Sequence, residues 1–335
     1  MSQTAHVIHV APVQSALSFS NVAVLIPCYN EEATIAKVIN DFRQALPGSQ
    51  IFVFDNNSTD ETLEIARQAG AVTRSVSYQG KGSVVRRMFA DIEASVYVMV
   101  DGDDTYEASQ APEMIQALTT NGLDMVVGMR KTVDEDAYRM GHKFGNVLLT
   151  TCVATIFGQT FKDMLSGYRV FSRRYVKSFP AHSMGFETET ELTVHALQLK
   201  MPVMEVRSPY RARPEGSVSK LNTYRDGIRI LLMIFLLFKA EKPFAAFASA
   251  AAFCTFLSIV LALPLLDTYL NTGLVPRMPT AVLCAAIMLF GAILLACGLI
   301  LDTVTRGRIE AKRMAYLRTP SPTTRDLIMP CSDAS

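Results

Sequence analysis

Hydrophobic and polar positions come in regular blocks through the first 130 residues. "NVAVLIP" (21–27) is an unbroken apolar run of strand length, and "EEATIAKVINDFRQAL" (31–46) spaces its apolar residues with a helical period. "IFVFD" (51–55) predicts a second strand, and "DETLEIARQAG" (60–70) a helix closed by Gly70. A helix over 82–94, a strand over 96–101, a helix over 108–120 and a strand over 123–129 follow in turn. Such alternation predicts an α/β fold, a mostly parallel sheet with helices on both faces. Ligands of these sheets sit beyond the carboxyl ends of the strands. That rule brings "PCYNE", "DNNSTD" and "DGDD" to one place, because each directly follows a strand.

Past residue 137 the pattern loosens. Residues 137–158 read as a long, partly apolar helix, 164–176 as strand then helix, 186–200 as a helix and 203–210 as a strand. A basic loop with Gly and Ser, "RARPEGSVSKLNTYRDG" (211–227), leads into "GIRILLMIFLLFK" (227–239), short and amphipathic, suited to a helix lying at an interface. Residues 243–266 and 279–301 then carry no charge at all. Each exceeds about 20 residues, enough to span a hydrocarbon core. Lys239 and Lys242 precede the first run; Arg306, Arg308, Lys312, Arg313 and Arg318 follow the second, against one Arg between them. The positive-inside rule therefore expects both termini and the α/β part on the cytoplasmic side of a multi-pass (inner) membrane protein.

Composition adds exclusions. The 335 residues carry a formal charge of +1, so no global field points to nucleic acid. Six cysteines form no CxxC pair and five histidines no zinc spacing, which argues against a zinc enzyme. Residues 1–20 lack a basic stretch followed by an apolar core and read as a flexible leader, not a signal peptide. Small residues in "AAFASAAAF" permit close helix packing, compatible with a homo-oligomer.

The carboxylates of Asp101, Asp103 and Asp104 repel one another unless something positive sits among them. At a strand end they suit a hard divalent cation, which takes oxygen ligands and bridges them to phosphates; a plain solvated turn is the alternative. Asp55, Tyr29 and Glu31 offer an acceptor, a stacking surface and a second acceptor. Ser58, Thr59, Asp60 or Glu61 equally suits a helix cap, and Glu31 an acidic helix start. Lys81, between two glycines, and Arg86 one turn later supply cations for a diphosphate, without a GxGxxG fingerprint.

Together "VLIPCYNEEATI", "VFDNNSTDET", "GKGSVVRR" and "VMVDGDDTY" resemble the family 2 glycosyltransferases, over roughly residues 20–240. The resemblance implies a Rossmann-like, A-type nucleotide-sugar-binding fold at 21–221. An interfacial helix at 222–242, a two-helix membrane hairpin at 243–302 and a cytoplasmic tail at 303–335 complete the expected organisation. It implies a nucleotide-sugar pocket lined by Pro27, Tyr29, Glu31, Asp55, Lys81, Arg86 and Gly102, with Mg2+ or Mn2+ held by Asp101 and Asp103. The chain is similar to the polyprenyl-phosphate branch, which includes dolichyl-phosphate mannose synthases and bactoprenol-phosphate glucosyltransferases. That implies an acceptor-phosphate site of Arg130, Arg169, Arg211, Arg213, Ser219 and Lys220, with Arg130 and Arg169 also assisting the transfer. A lipid phosphate next to an interfacial helix needs such cations; binding of anionic headgroups is the less favoured alternative for the loop, and the two are compatible.

Three features depart from the family pattern. "DTY" stands after the DxD where many members have further polar residues, leaving a third metal ligand open. Glu187, Glu189 and Glu191 either approach the site or face solvent from a helix, the structural role being slightly favoured. No tryptophan is present, so the Q-x-x-R-W element of polymer synthases is missing. The resemblance favours a UDP-sugar as donor, with GDP-mannose as the alternative. An inactive scaffold or a nucleotidyltransferase fits less well, since the DxD, cation loop and apolar pair are all present.

Overall fold

The computed structural model describes residues 19–132, 151, 153–154, 157–158, 161–181, 188–211, 236 and 238–327. The chain divides into two compact units, residues 1–228 with 312–335 and residues 229–311.

Among the described residues the first unit is built on seven strands, β1 (Val22–Cys28), β2 (Gln50–Asp55), β3 (Val72–Ser75), β4 (Val96–Met99), β5 (Met125–Thr132), β6 (Arg169–Ser172) and β7 (Val203–Tyr210), ordered β3-β2-β1-β4-β6-β5-β7. β1 is buried along its whole length, as a strand covered on both faces must be. β3 has no counterpart in the apolar pattern, because "VTRS" is a largely exposed edge strand. The sheet is mixed: β6 runs antiparallel to both β4 and β5, with Val170 opposite Val98 and Val126. β5 ends and β6 begins at the same edge, so this insertion needs no crossover. The carboxyl ends of β1, β2, β4, β5 and β7 all meet there.

Helices α1 (Ile35–Ala45), α2 (Thr62–Gln68), α3 (Lys81–Asp91), α4 (Ala111–Thr120), α5 (Arg173–Ser178) and α6 (Thr188–Gln198) accompany the sheet. α1 buries Ile35, Val38, Ile39 and Phe42, the i, i+3, i+4, i+7 stripe its sequence carries. The helix expected at 137–158 lies mostly outside the described residues, as does most of the expected interfacial helix at 222–242.

His195 on α6 is buried between the rings of Tyr175 and Phe179, centroids 5.2 and 5.4 Å away, with Nε2 3.0 Å from Ser178 Oγ. Burial, followed by the charge of Lys312, lowers its pKa to about 3. The unfolded chain takes up that proton near the ordinary value of about 6.5, so acidification below that point favours unfolding. The expected cost between pH 7 and pH 5 is about 2 kcal/mol. Thermal melts across this range should show that slope, and His195→Phe should flatten it; an unchanged slope would refute the assignment.

The second unit contains α7 (Pro243–Thr272) and the part of α8 (Met278–Leu317) up to Ala311. Both helices are long and apolar enough to cross a membrane. Thirty residues of α7 rise about 45 Å, against a hydrocarbon core of about 30 Å. Their packing uses small residues seven apart: Cys284, Gly291, Gly298 and Thr305 are the buried positions of α8. A Cβ on Gly298 would sit 2.9 Å from Phe247 Cβ, and one on Gly291 3.3 Å from the Ala251 carbonyl. Ser258 Oγ donates to the Cys284 carbonyl at 2.9 Å. Ala251, from the small-residue run, is thus used inside the hairpin, whereas Phe253, Phe256, Leu289 and Phe290 point outward.

After the apolar run the described chain, to residue 327, keeps regular structure. α8 continues to Leu317, and its last residues belong with the first unit. Tyr316 donates its hydroxyl to Asp124 at 2.8 Å, and Lys312 donates to Gln198 at 2.7 Å. Leu327, in a 3-10 turn over Thr324–Leu327, joins the core, and its carbonyl accepts the Asn21 N–H at 3.0 Å. Arg174 binds Asp124 with two nitrogens and lies over the Tyr316 ring, 4.8 Å from its centroid.

Candidate active site

The loops after β1 and β2 are laced together. The Asn30 N–H donates to Ser58 Oγ at 2.9 Å, Glu31 N–H to Thr62 Oγ1 at 2.8 Å, and Thr59 N–H to Asn30 Oδ1 at 2.8 Å. Asn30 and Asn57 take left-handed backbone conformations, which asparagine tolerates well. Asp60, just ahead of α2, accepts from the Thr62 N–H at 3.1 Å, whereas the N-cap residue Glu61 makes no side-chain cap bond. Asp55 is buried at the end of β2 and accepts from the Ser58 N–H at 3.2 Å. Pro27 is buried beside Phe54, and Tyr29 is half-buried at the mouth of this edge. Burial and the carboxylates of Asp55, Glu31 and Asp60 push the Cys28 thiol well above its ordinary range, so it is no nucleophile at neutral pH.

Asn56 was not singled out by the sequence, yet it organises the next loop. Its amide donates to the carbonyls of Val76 and Tyr78 at 3.0 and 2.8 Å, and its oxygen accepts the Gly80 N–H at 2.7 Å. Gly80 has φ of 122°, a conformation that glycine alone adopts easily. This turn delivers Lys81 as the first residue of α3, bonded to Asp101 Oδ1 at 2.6 Å. Burial opposes the charge on Lys81, but Asp101 and Glu189 outweigh it and hold the ammonium protonated. Arg86 is exposed and donates from Nε to the Ala181 carbonyl.

The carboxylates after β4 take separate tasks. Asp103 is buried, and its Oδ1 accepts the Thr105 hydroxyl at 2.6 Å. Asp104, at φ 56°, turns outward to Lys37 at 2.6 Å. Gly102 is buried, and its carbonyl accepts the hydroxyl of Thr34, 2.7 Å away at the head of α1. Asp101 leans against Gly167, where a Cβ would come within 2.1 Å of Oδ2. The Gly167 N–H is fixed by Tyr106 Oη at 3.0 Å. "DTY" therefore has a use: Thr105 holds Asp103, and Tyr106 holds the glycine that makes room for Asp101. Sequence reading missed Thr105, Tyr106 and Gly167 because these contacts join distant segments.

The expected acceptor residues divide. Arg130, at the end of β5, makes a two-pronged bond to Asp163 at 2.7 and 2.7 Å, with Cζ 5.6 Å from the Tyr210 ring centroid. Asp163 is itself positioned: the N–H groups of Lys162 and Asp163 donate to Glu205 at 2.8 and 2.9 Å. Arg211 is exposed, paired with Glu107 at 2.6 Å, and its N–H donates to the Thr105 carbonyl. Arg169 does not join this surface. It is fully buried and donates to the carbonyls of Ser166 and Met164 and to Thr193 Oγ1, pinning the glycine loop to α6. Its planar five-donor fork suits that clasp as well as it suits phosphate. Arg213, Ser219, Lys220 and Glu187 lie outside the described residues. Glu189, for which the sequence left both a site and a structural role open, is buried and pairs with Lys81 at 2.5 Å.

Three strand-end loops around paired carboxylates and a lysine, on a mixed sheet of this order, define an A-type nucleotide-sugar glycosyltransferase fold. A family profile, Glycosyl transferase family 2, matches residues 23–179. The glycosyltransferase AglJ of Haloferax volcanii is 36% identical over 299 residues, 88% of this chain and 98% of that protein. Protein RfbJ of Shigella flexneri is 60% identical over 124 residues, 37% of this chain and 96% of that one. A dolichyl-phosphate hexose transferase of Haloferax volcanii is 29% identical, covering 64% of this chain and 92% of its own length. Among solved structures, glucosyl-3-phosphoglycerate synthase from Mycobacterium tuberculosis in complex with Mn2+, UDP and glucosyl-3-phosphoglycerate superposes with a TM-score of 0.56. It is 22% identical and covers 69% of this chain and 87% of that one, a likeness of fold. The chain belongs to glycosyl transferase family 2 and is a glycosyltransferase.

Proposed function

We propose that the protein is a membrane-anchored inverting glycosyltransferase. It moves a hexose or N-acetylhexosamine from a UDP-sugar to polyprenyl phosphate, undecaprenyl or dolichyl. The observation that carries this is the combination of a carboxylate pair with an adjacent ammonium at the strand ends and two long apolar helices in the same chain. Relatives named for dolichyl phosphate support a lipid acceptor, and the solved neighbour with Mn2+ and UDP supports a metal-dependent uridine donor. The charge bias around the apolar helices favours the catalytic unit and both termini on the cytoplasmic face.

The donor set fits a divalent cation. Asp101 and Asp103 offer hard oxygens; Asp103 is oriented by Thr105, and Asp101 has the space that Gly167 leaves. Mg2+ or Mn2+ commonly takes one or two carboxylates and keeps waters and phosphate oxygens as its remaining ligands. Bound there, the cation would neutralise charge growing on the departing nucleoside diphosphate.

The chain's own groups do the rest. Asp55, Tyr29, Glu31 and Pro27 form the nucleotide side, and Lys81 adds positive charge at the diphosphate. Arg130, locked by Asp163, and the 211–220 loop steady the acceptor phosphate. A phosphate oxygen attacks the anomeric carbon as the bond to the diphosphate breaks, inverting that carbon. A phosphate monoester is largely dianionic at pH 7, its second pKa being about 6, so no strong general base is required. Positioning and charge stabilisation suffice.

Purified protein in detergent, given polyprenyl phosphate, Mg2+ or Mn2+ and a panel of labelled nucleotide sugars, tests this directly. The expected result is lipid-phase label from a UDP-sugar, abolished in a folded Asp103→Ala variant. Label from GDP-mannose alone would replace the donor. Wild-type transfer by Asp103→Ala would overturn the metal assignment.

A further inference from the structure

Lys81 joins two carboxylates that are remote in sequence, Asp101 at 2.6 Å and Glu189 at 2.5 Å. The cluster is shielded, with side-chain exposures of 15% for Lys81, 29% for Asp101 and 8% for Glu189. One ammonium serves two carboxylates in a shielded region where charges interact strongly, and the buried Arg169 guanidinium adds its field on the Glu189 side. The geometry also restricts escape. Lys81 is anchored at the head of α3 by the Asn56–Gly80 bond, and Asp101 is backed by Gly167. A dication approaching Asp101 therefore meets an ammonium already bonded to one of the oxygens it needs. Breaking that bond would strand a buried cation if Asp101 were its only partner. Glu189 removes that problem, because the ammonium already has a second anchor on α6.

We propose that Lys81 is a built-in counter-ion which a divalent cation displaces from Asp101, and that Glu189 is the positioning residue which retains the displaced ammonium inside the site. The inference rests on Asp101 being a metal ligand, as proposed above. In this arrangement Glu189 touches neither donor nor acceptor. It eases metal loading and leaves Lys81 turned toward the incoming diphosphate.

The test is Mn2+ binding by the full chain in detergent, read from the electron paramagnetic resonance signal of free Mn2+, with no sugar transfer involved. Wild type should bind, and Asp101→Asn should not. Glu189→Gln should weaken binding about tenfold, the scale of one charge-assisted hydrogen bond redirected onto Asp101. The neutral pair Lys81→Met with Glu189→Gln leaves no ammonium competing for Asp101 and should regain wild-type affinity or better. Wild-type affinity in Glu189→Gln, or a loss that persists in the neutral pair, would overturn the counter-ion role while leaving the metal site standing. Absence of Mn2+ binding in wild type, or its survival in Asp101→Asn, would overturn the metal site and this inference together.

Discussion

Gly167→Ala should reduce sugar transfer about 100-fold in a protein that still folds, because a displacement of about 1 Å at a reacting centre costs that much. The new Cβ would stand 2.1 Å from Asp101 Oδ2 and 2.7 Å from its Cγ. A contact that close with Cγ cannot be relieved by turning the carboxylate alone; Asp101 must swing about its Cα–Cβ bond and release Lys81. The loop has little freedom to retreat, since Tyr106 fixes the Gly167 N–H and Ser166 donates its hydroxyl to the Gly128 carbonyl at 2.6 Å. Transfer assays beside thermal melts decide the matter. A variant with wild-type turnover would show that Asp101 does not need its present position.

Asp124→Ala should be the most destabilising single change in the catalytic unit, by about 3–5 kcal/mol, the range for removing one partner of a buried ion pair. Asp124 is fully buried at the start of β5. It accepts the Ser172 hydroxyl at 2.8 Å, both Arg174 nitrogens, and Tyr316 Oη at 2.8 Å. Alanine leaves the partly buried Arg174 without its carboxylate and two hydroxyls without an acceptor. Because Tyr316 follows the second apolar run, its release should also expose the C-terminal segment. Denaturation in detergent, combined with limited proteolysis near residue 320, should report both losses. A change below about 1 kcal/mol would mean the cluster is solvated and contributes little.

Much of this protein is legible in its sequence, for a definite physical reason. Strands and helices announce themselves through local periodicity, since a side chain's face is set by its own backbone within a few residues. The apolar run of β1, the i, i+3, i+4, i+7 stripe of α1 and the charge-free stretches of α7 and α8 are signals of that kind. The strand-end rule then carried Asp55, Asp101 and Asp103 to one edge without any knowledge of distance. β3 escaped because an exposed edge strand of four residues has no apolar signature.

What stayed hidden depends on pairings across long stretches of chain. Arg169 and Arg130 look alike in sequence, each an arginine beside a strand. Burial decides between them: Arg169 is clasped by Ser166, Met164 and Thr193, whereas Arg130 is braced by Asp163 near Tyr210. Glu189 and Lys81 stand 108 positions apart, and nothing in either neighbourhood foretells their bond. The sequence alone determined the class of fold, the edge where the chemistry sits and the two helices able to cross a membrane, because those follow from local spacing. Only the tertiary structure decided which carboxylate meets which cation, why Gly167 must lack a side chain, and that Leu327 returns to the core. Each of these is a contact between segments that only the folded chain brings within reach.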